Sequence, residues 1–282
     1  GFRDIDLIKI PLRDENGELK STSQLDTEVL NAITKTNELG RHVVLHVMDQ
    51  SKLGYQSPSE KLIQSLEQLD TLSMQIIVDA SQLRLDPKDI QNYLNKGCIV
   101  TITGSKYFTG PPYSGALIVP KNVSQTIQDV TIKIPKGLTN YYNRTDWPIA
   151  WHCSSDLSEG FNYGSNMRWN AAIVEMDRYY KTPVLYRNMG IEMFCNFIED
   201  SIKEATFLQP IYGDETKTKS FDSTEFGIRN IRTIFPFFIL KNGEALSDAQ
   251  VKKLYTLLNS DLSTNFEGSP LEIIRLAAQK CH

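Results

Sequence analysis

Cysteine is scarce in this chain: 282 residues hold four, Cys98, Cys153, Cys195 and Cys281, all far apart. The spacing excludes a paired-cysteine metal site, and free thiols without a disulfide framework point to a reducing, cytoplasmic compartment. Histidine is equally sparse, at His42, His46, His152 and His282. Neither a histidine zinc site nor a histidine-based nucleophile triad is indicated, and His46, on an apolar run, reads as a packed core residue. Long apolar runs are missing too. The strongest, TIFPFFIL at 233–240, is too short to cross a bilayer, and no secretory signal is visible. Positive charge is not in excess: Lys and Arg number 30 against 34 Asp and Glu, a formal charge of −4, which argues against a sequence-independent grip on nucleic acid. Glycine-rich nucleotide loops are also absent. No GxGxxG follows a strand, and TGSKY at 103–107 lacks the glycines and the Ser or Thr after lysine that a nucleotide phosphate loop needs.

What remains is an ordinary folded composition, 40% hydrophobic and 23% charged. Residues 5–12 (IDLIKIPL) read as a strand, and 22–38 as a helix with Leu25, Val29, Ala32 and Ile33 on one face. A strand at 42–48, a helix at 59–69 carrying Leu62, Leu66 and Leu69, and a strand at 74–80 follow. Next come a helix at 86–96 and strands at 98–103 and 115–120. Apolar strands separated by amphipathic helices predict an α/β domain with a mostly parallel sheet covered by helices on both faces. Residues 121–160, rich in Asn, Tyr, Trp, Pro and Ser, read as irregular linker. The expected division is therefore a large domain at 1–150 and a smaller α+β domain at 151–282. The second would hold helices at 166–181, 185–205, 247–259 and 270–280, with strands near 207–212 and 231–240 around an unassigned polar stretch at 213–227.

Two charged residues stand where this pattern makes charge expensive. Asp79 ends an apolar strand, and a carboxylate there needs a cation or hydrogen-bond donors. Lys106 lies between the β-branched run TITGS and the turn GPP, one strand–helix–strand unit later. A right-handed crossover returns the chain beside its starting strand, and ligands of open α/β sheets bind at the carboxyl edge. Asp79 and Lys106 are thus expected within one small-molecule length of each other.

The pattern VDASQ followed by TGSKYFTGPPYSGALIVP resembles the cofactor segment of fold-type I pyridoxal-phosphate enzymes. It is most similar to the branch of class-V aminotransferases and cysteine desulfurases. The matching stretch is 76–120, with weaker similarity back through Gly54 and Pro58. The resemblance implies pyridoxal 5′-phosphate as cofactor. It implies that Lys106 forms the imine in a desolvated pocket and that Asp79 keeps the pyridine nitrogen protonated. Gln82 is implied at the phenolic oxygen, Thr103 and Ser105 at the phosphate, and Ser51 near the ring or substrate. It implies an amino acid as substrate, its carboxylate held by Arg232 or Arg168. Aminotransferase-type chemistry is expected, with a carbon–sulfur or carbon–carbon lyase, or a non-catalytic scaffold of the same fold, as alternatives. Neither Cys153 nor Cys195 lies in the small-residue loop that a desulfurase uses. The family's phosphate-cradling loop and ring-stacking residue are not found in the 78 residues before Asp79, so the large domain reads as lacking its N-terminal part. A homodimer is implied as well, with Tyr113 and Ser114 facing the partner's cofactor.

Overall fold

The computed structural model describes residues 5–51, 53–67, 72–131, 133–211 and 232–260. Two compact units emerge, Gly1–Glu192 with Thr216–Ile234, and Met193–Glu215 with Phe235–His282.

The first unit is built on a four-stranded sheet in the order β1 (Val43–Met48), β2 (Met74–Asp79), β3 (Ile99–Thr103), β4 (Gly115–Ile118). The first three strands run parallel and β4 returns antiparallel, so the α/β class with a mostly parallel sheet holds. Its helices are α1 (Thr22–Glu38), α2 (Glu60–Glu67) and α3 (Pro87–Asn95). Two of them show why their residues are helical. Ser21 and Gln24 form a reciprocal capping box at α1, whose Leu25, Val29 and Ile33 face inward. At α3, Pro87 occupies the first turn, the Asp89 carboxylate accepts the Asp86 N–H at 3.0 Å, and Gly97 closes the end at φ +70°.

Side chains alternate along each strand, so the parallel register sorts them into two faces. Val47, Ile76, Val78 and Val100 form the core with α1, α2 and α3. The other face carries Val44, His46, Met48, Asp79, Thr101, Thr103 and Leu117. It is only partly covered: Val44 is 50% and Leu117 54% exposed. His46 is exposed on that face rather than packed in the core, because the pleat turns it away from α1 and α2. Leu69 and residues 213–227 and 270–280 lie outside the described residues, as does Cys281; Cys98, Cys153 and Cys195 are free thiols.

Residues 5–12 form no ladder among the described residues. Ile5 and Leu7 are 70% and 78% exposed, and only Ile10 packs against the core. β-branched composition favours extended backbone but supplies no partner strand. Residues 121–160 are not a linker. They contain α4 (Lys121–Gln128), the short α5 (Lys136–Thr139) and two 3-10 turns, and they bury Ile134, Trp151 and Leu157. The Trp151 indole donates to Ser124 at 2.9 Å, and the Ile134 N–H donates to Asp156 at 3.1 Å. The division consequently falls at 192 rather than at 150, since this packed segment and α6 (Tyr163–Lys181) belong with the sheet.

The second unit holds a three-stranded antiparallel sheet, β5 (Leu208–Pro210), β6 (Phe237–Lys241) and β7 (Glu244–Ala245), and α8 (Asp248–Leu258) capped by Ser247. α7 (Val184–Glu204) carries the chain across the division. β6 starts at Phe237, not near 231, because Pro236 has no N–H to give a ladder. No described helix is long and apolar enough to cross a membrane.

Candidate active site

The carboxyl ends of β2 and β3 bring the two expected charges together. The Lys106 amine donates to the Ser81 hydroxyl at 3.0 Å, and the Ser81 amide donates to the Asp79 carboxylate at 3.0 Å. The Thr101 hydroxyl approaches the same carboxylate oxygen at 3.4 Å. Burial raises the Asp79 carboxyl, but hydrogen bonds from the Ser81 side chain and amide, the Lys106 charge and Thr101 outweigh it. The group therefore stays ionised below its ordinary value of 3.8. Ser81 was not expected; it sits two residues beyond Asp79, at the spacing of an Asx turn.

Sterics shape the turn that presents Lys106. The Lys106 carbonyl accepts the Thr109 N–H at 3.1 Å, and Gly110 N–H donates to the Gly104 carbonyl at 2.8 Å. Ala172 of α6 presses on both glycines: a Cβ at Gly104 would lie 2.4 Å from the Ala172 methyl, and one at Gly110 2.6 Å from it. Only glycine permits that approach. Leu83, Thr109 and Tyr113 all have positive φ (50°, 54° and 66°), so three non-glycine residues in the left-handed region flank Asp79 and Lys106. Such backbone strain concentrates at functional sites.

The remaining expected residues divide. Thr103 and Ser105 bring their hydroxyls to 2.7 Å from each other at the end of β3, beside Lys106. Gln82 is half-buried in the Asp79 loop. Ser51 instead closes its own loop, accepting the Tyr55 N–H at 3.0 Å and the Leu53 N–H at 3.2 Å. Arg168 is half-buried on α6, its guanidinium 5.9 Å from the Tyr113 ring centre. Arg232 is buried, lies five residues before β6 and groups with the first unit, not with the small-domain strand it was expected to lead. Lys106 is exposed in the single chain, so the expected desolvated pocket is not formed by the described residues. Tyr113 is 86% exposed, whereas Ser114 is fully buried within the single chain and donates to the Pro111 carbonyl at 2.9 Å.

One further residue escaped the sequence. Gln50 follows β1 on the same sheet edge, next to Asp49, whose N–H donates to the Asp79 carbonyl at 3.1 Å. Its side-chain oxygen is buried without a hydrogen-bond partner. A buried acceptor left open calls for a donor. Its only signal in sequence was its place at a strand end.

No protein-family model and no curated protein matches the chain. Solved structures do: a crystal structure of mouse CSAD in apo form has a TM-score of 0.48 and 10% identity, over 88% of this chain and 48% of that one. A second mouse CSAD structure has a TM-score of 0.43 and 11% identity, over 71% of this chain and 40% of that one. The chain spans about half the length of these structures or less.

Proposed function

We propose that the chain belongs to a pyridoxal-phosphate-dependent enzyme acting on an amino acid, with aminotransferase-type chemistry. The observation that carries this reading is the Lys106–Ser81–Asp79 chain of contacts, which puts a primary amine and an ionised carboxylate at one sheet edge. These residues fit the group. Lys106 would hold its aldehyde carbon covalently, and Asp79, ionised through the neutral range, would keep a proton on the pyridine nitrogen. The adjacent hydroxyls of Thr103 and Ser105 suit the phosphate. When bound, the cofactor supplies an electron sink for bond breaking at the substrate α-carbon. The Lys106 amine stands beside Asp79 to carry a proton to or from that carbon. Exposed Lys106 and Tyr113 fit a homodimer in which a second copy covers the site and excludes water.

The protein incubated with pyridoxal phosphate is expected to absorb in the visible. Borohydride reduction should fix a pyridoxyl group on Lys106, located by peptide mass mapping and lost in Lys106→Ala. A protein that stays colourless and unlabelled overturns the reading. With amino-acid substrates and a keto-acid acceptor, a new keto acid and a new amino acid support transamination; release of carbon dioxide or sulfide assigns a lyase instead.

A further inference from the structure

The loop that carries Asp79 and the turn that carries Lys106 are separate pieces of chain, yet one buried side chain reaches the surroundings of both. Arg187, in the first turn of α7, has a side chain only 8% exposed. Its guanidinium lies 4.2 Å from the ring centre of Tyr179 and 5.4 Å from that of Tyr180, at the end of α6. One nitrogen donates to the Tyr179 carbonyl at 3.3 Å, and another stands 3.9 Å from the Asp86 carboxylate, where the Asp79 loop enters α3. Tyr179 in turn meets Tyr107 and Phe108 edge to face at 5.6 and 5.3 Å, with its hydroxyl 3.4 Å from that of Tyr107. Tyr107 and Phe108 directly follow Lys106.

The arrangement is costly for a merely structural contact. The Arg187 Nε is buried without a hydrogen-bond partner. Apolar side chains of similar size often replace a buried ion pair without loss of stability. A planar cation held over the Tyr179 ring, near the perpendicular Tyr180 ring and facing a carboxylate, does what such a replacement does not: it fixes direction as well as distance. At the middle of α6, Ala172 already pins the turn through Gly104 and Gly110, so the Lys106 turn is held against one helix at two points.

We propose that Arg187 is a positioning residue that ties the Asp86 end of the Asp79 loop to the aromatic half of the Lys106 turn. It thereby sets the separation of the Lys106 amine from the Asp79 carboxylate. The purpose of that separation rests on the function proposed above; the tie itself does not, and it is tested without cofactor.

The readout is the reaction of Lys106 with limiting acetic anhydride at fixed, mildly alkaline pH, followed by mass spectrometry on the intact chain. The Asp79 carboxylate holds Ser81 and Ser81 holds the Lys106 amine, so Asp79→Asn, which weakens the first bond, is expected to free the amine and speed labelling of Lys106 by roughly threefold, the size of one hydrogen bond. In Arg187→Met the same Asp79→Asn change is expected to have no effect, because the two groups no longer keep their spacing. Asp86→Asn cuts the tie from its other end, is expected to behave in the same way, and decides the matter should Arg187→Met fail to fold. A threefold effect that persists in the Arg187 and Asp86 variants overturns the proposal, even where their melting temperatures fall. Added pyridoxal phosphate with borohydride is a separate arm: no fixation on Lys106 in the parent sinks the cofactor reading and leaves the tie standing.

Discussion

At the scale of single residues, Asp79 is the group whose ionisation the site controls. Its folded value is depressed, so the stabilisation it contributes is fully present above the ordinary carboxylate value of 3.8 and disappears as pH falls through the lower folded value. Asp79→Asn is therefore expected to be less stable than the parent near neutrality, and the gap should close as pH falls below 3.8 and through the lower folded value. Urea unfolding of both proteins at a series of pH values checks this; a gap independent of pH contradicts it. Asp79 and Lys106 were legible from sequence because an acid at the end of an apolar strand and an amine at a tight turn both break a local rule. Ser81, Gln50 and Arg187 break none. The Ser81 contact with Lys106 and the contacts of Arg187 join distant segments, and no spacing encodes those.

Among elements, the turn against α6 is the most demanding contact. A methyl at Gly110 would meet the Ala172 methyl at 2.6 Å and the Gly104 carbonyl oxygen at 2.6 Å, and backbone cannot swing away as a flexible side chain does. Gly110→Ala is expected to cost roughly 1–3 kcal/mol, in the range of other overpacked sites, by chemical denaturation. A larger loss of borohydride labelling at Lys106 than of stability would place the strain in the turn itself. Periodicity found α1, α6 and α7 to within a few residues because each shows several helical turns of pattern. It missed α4, whose apolar positions reduce to Val123 and Ile127, a single pair four apart. Strand 5–12 failed for a different reason: extended preference is local, but a ladder needs a neighbour that composition does not name.

On the scale of the whole molecule, the mostly parallel α/β class followed from alternating apolar strands and amphipathic helices, but the division between units did not. A stretch of Asn, Tyr, Trp and Pro looks like linker until Trp151 and Leu157 are seen buried. If the homodimer proposed from exposed Lys106 and Tyr113 forms, sedimentation at micromolar concentration should give twice the 32.0 kDa chain mass. A 32.0 kDa species alone removes that part of the proposal. The strand order carries one more consequence. Among the described residues β1 is bonded to another strand on one side only, and its outer rim is stitched solely at Met48, to Ser57. An open rim of this kind recruits stray extended chain, so concentrated solutions are expected to cloud and bind amyloid dyes on warming. Val44→Lys, which sets a gatekeeping charge at a half-exposed position of that rim, should delay the clouding while leaving the fold intact.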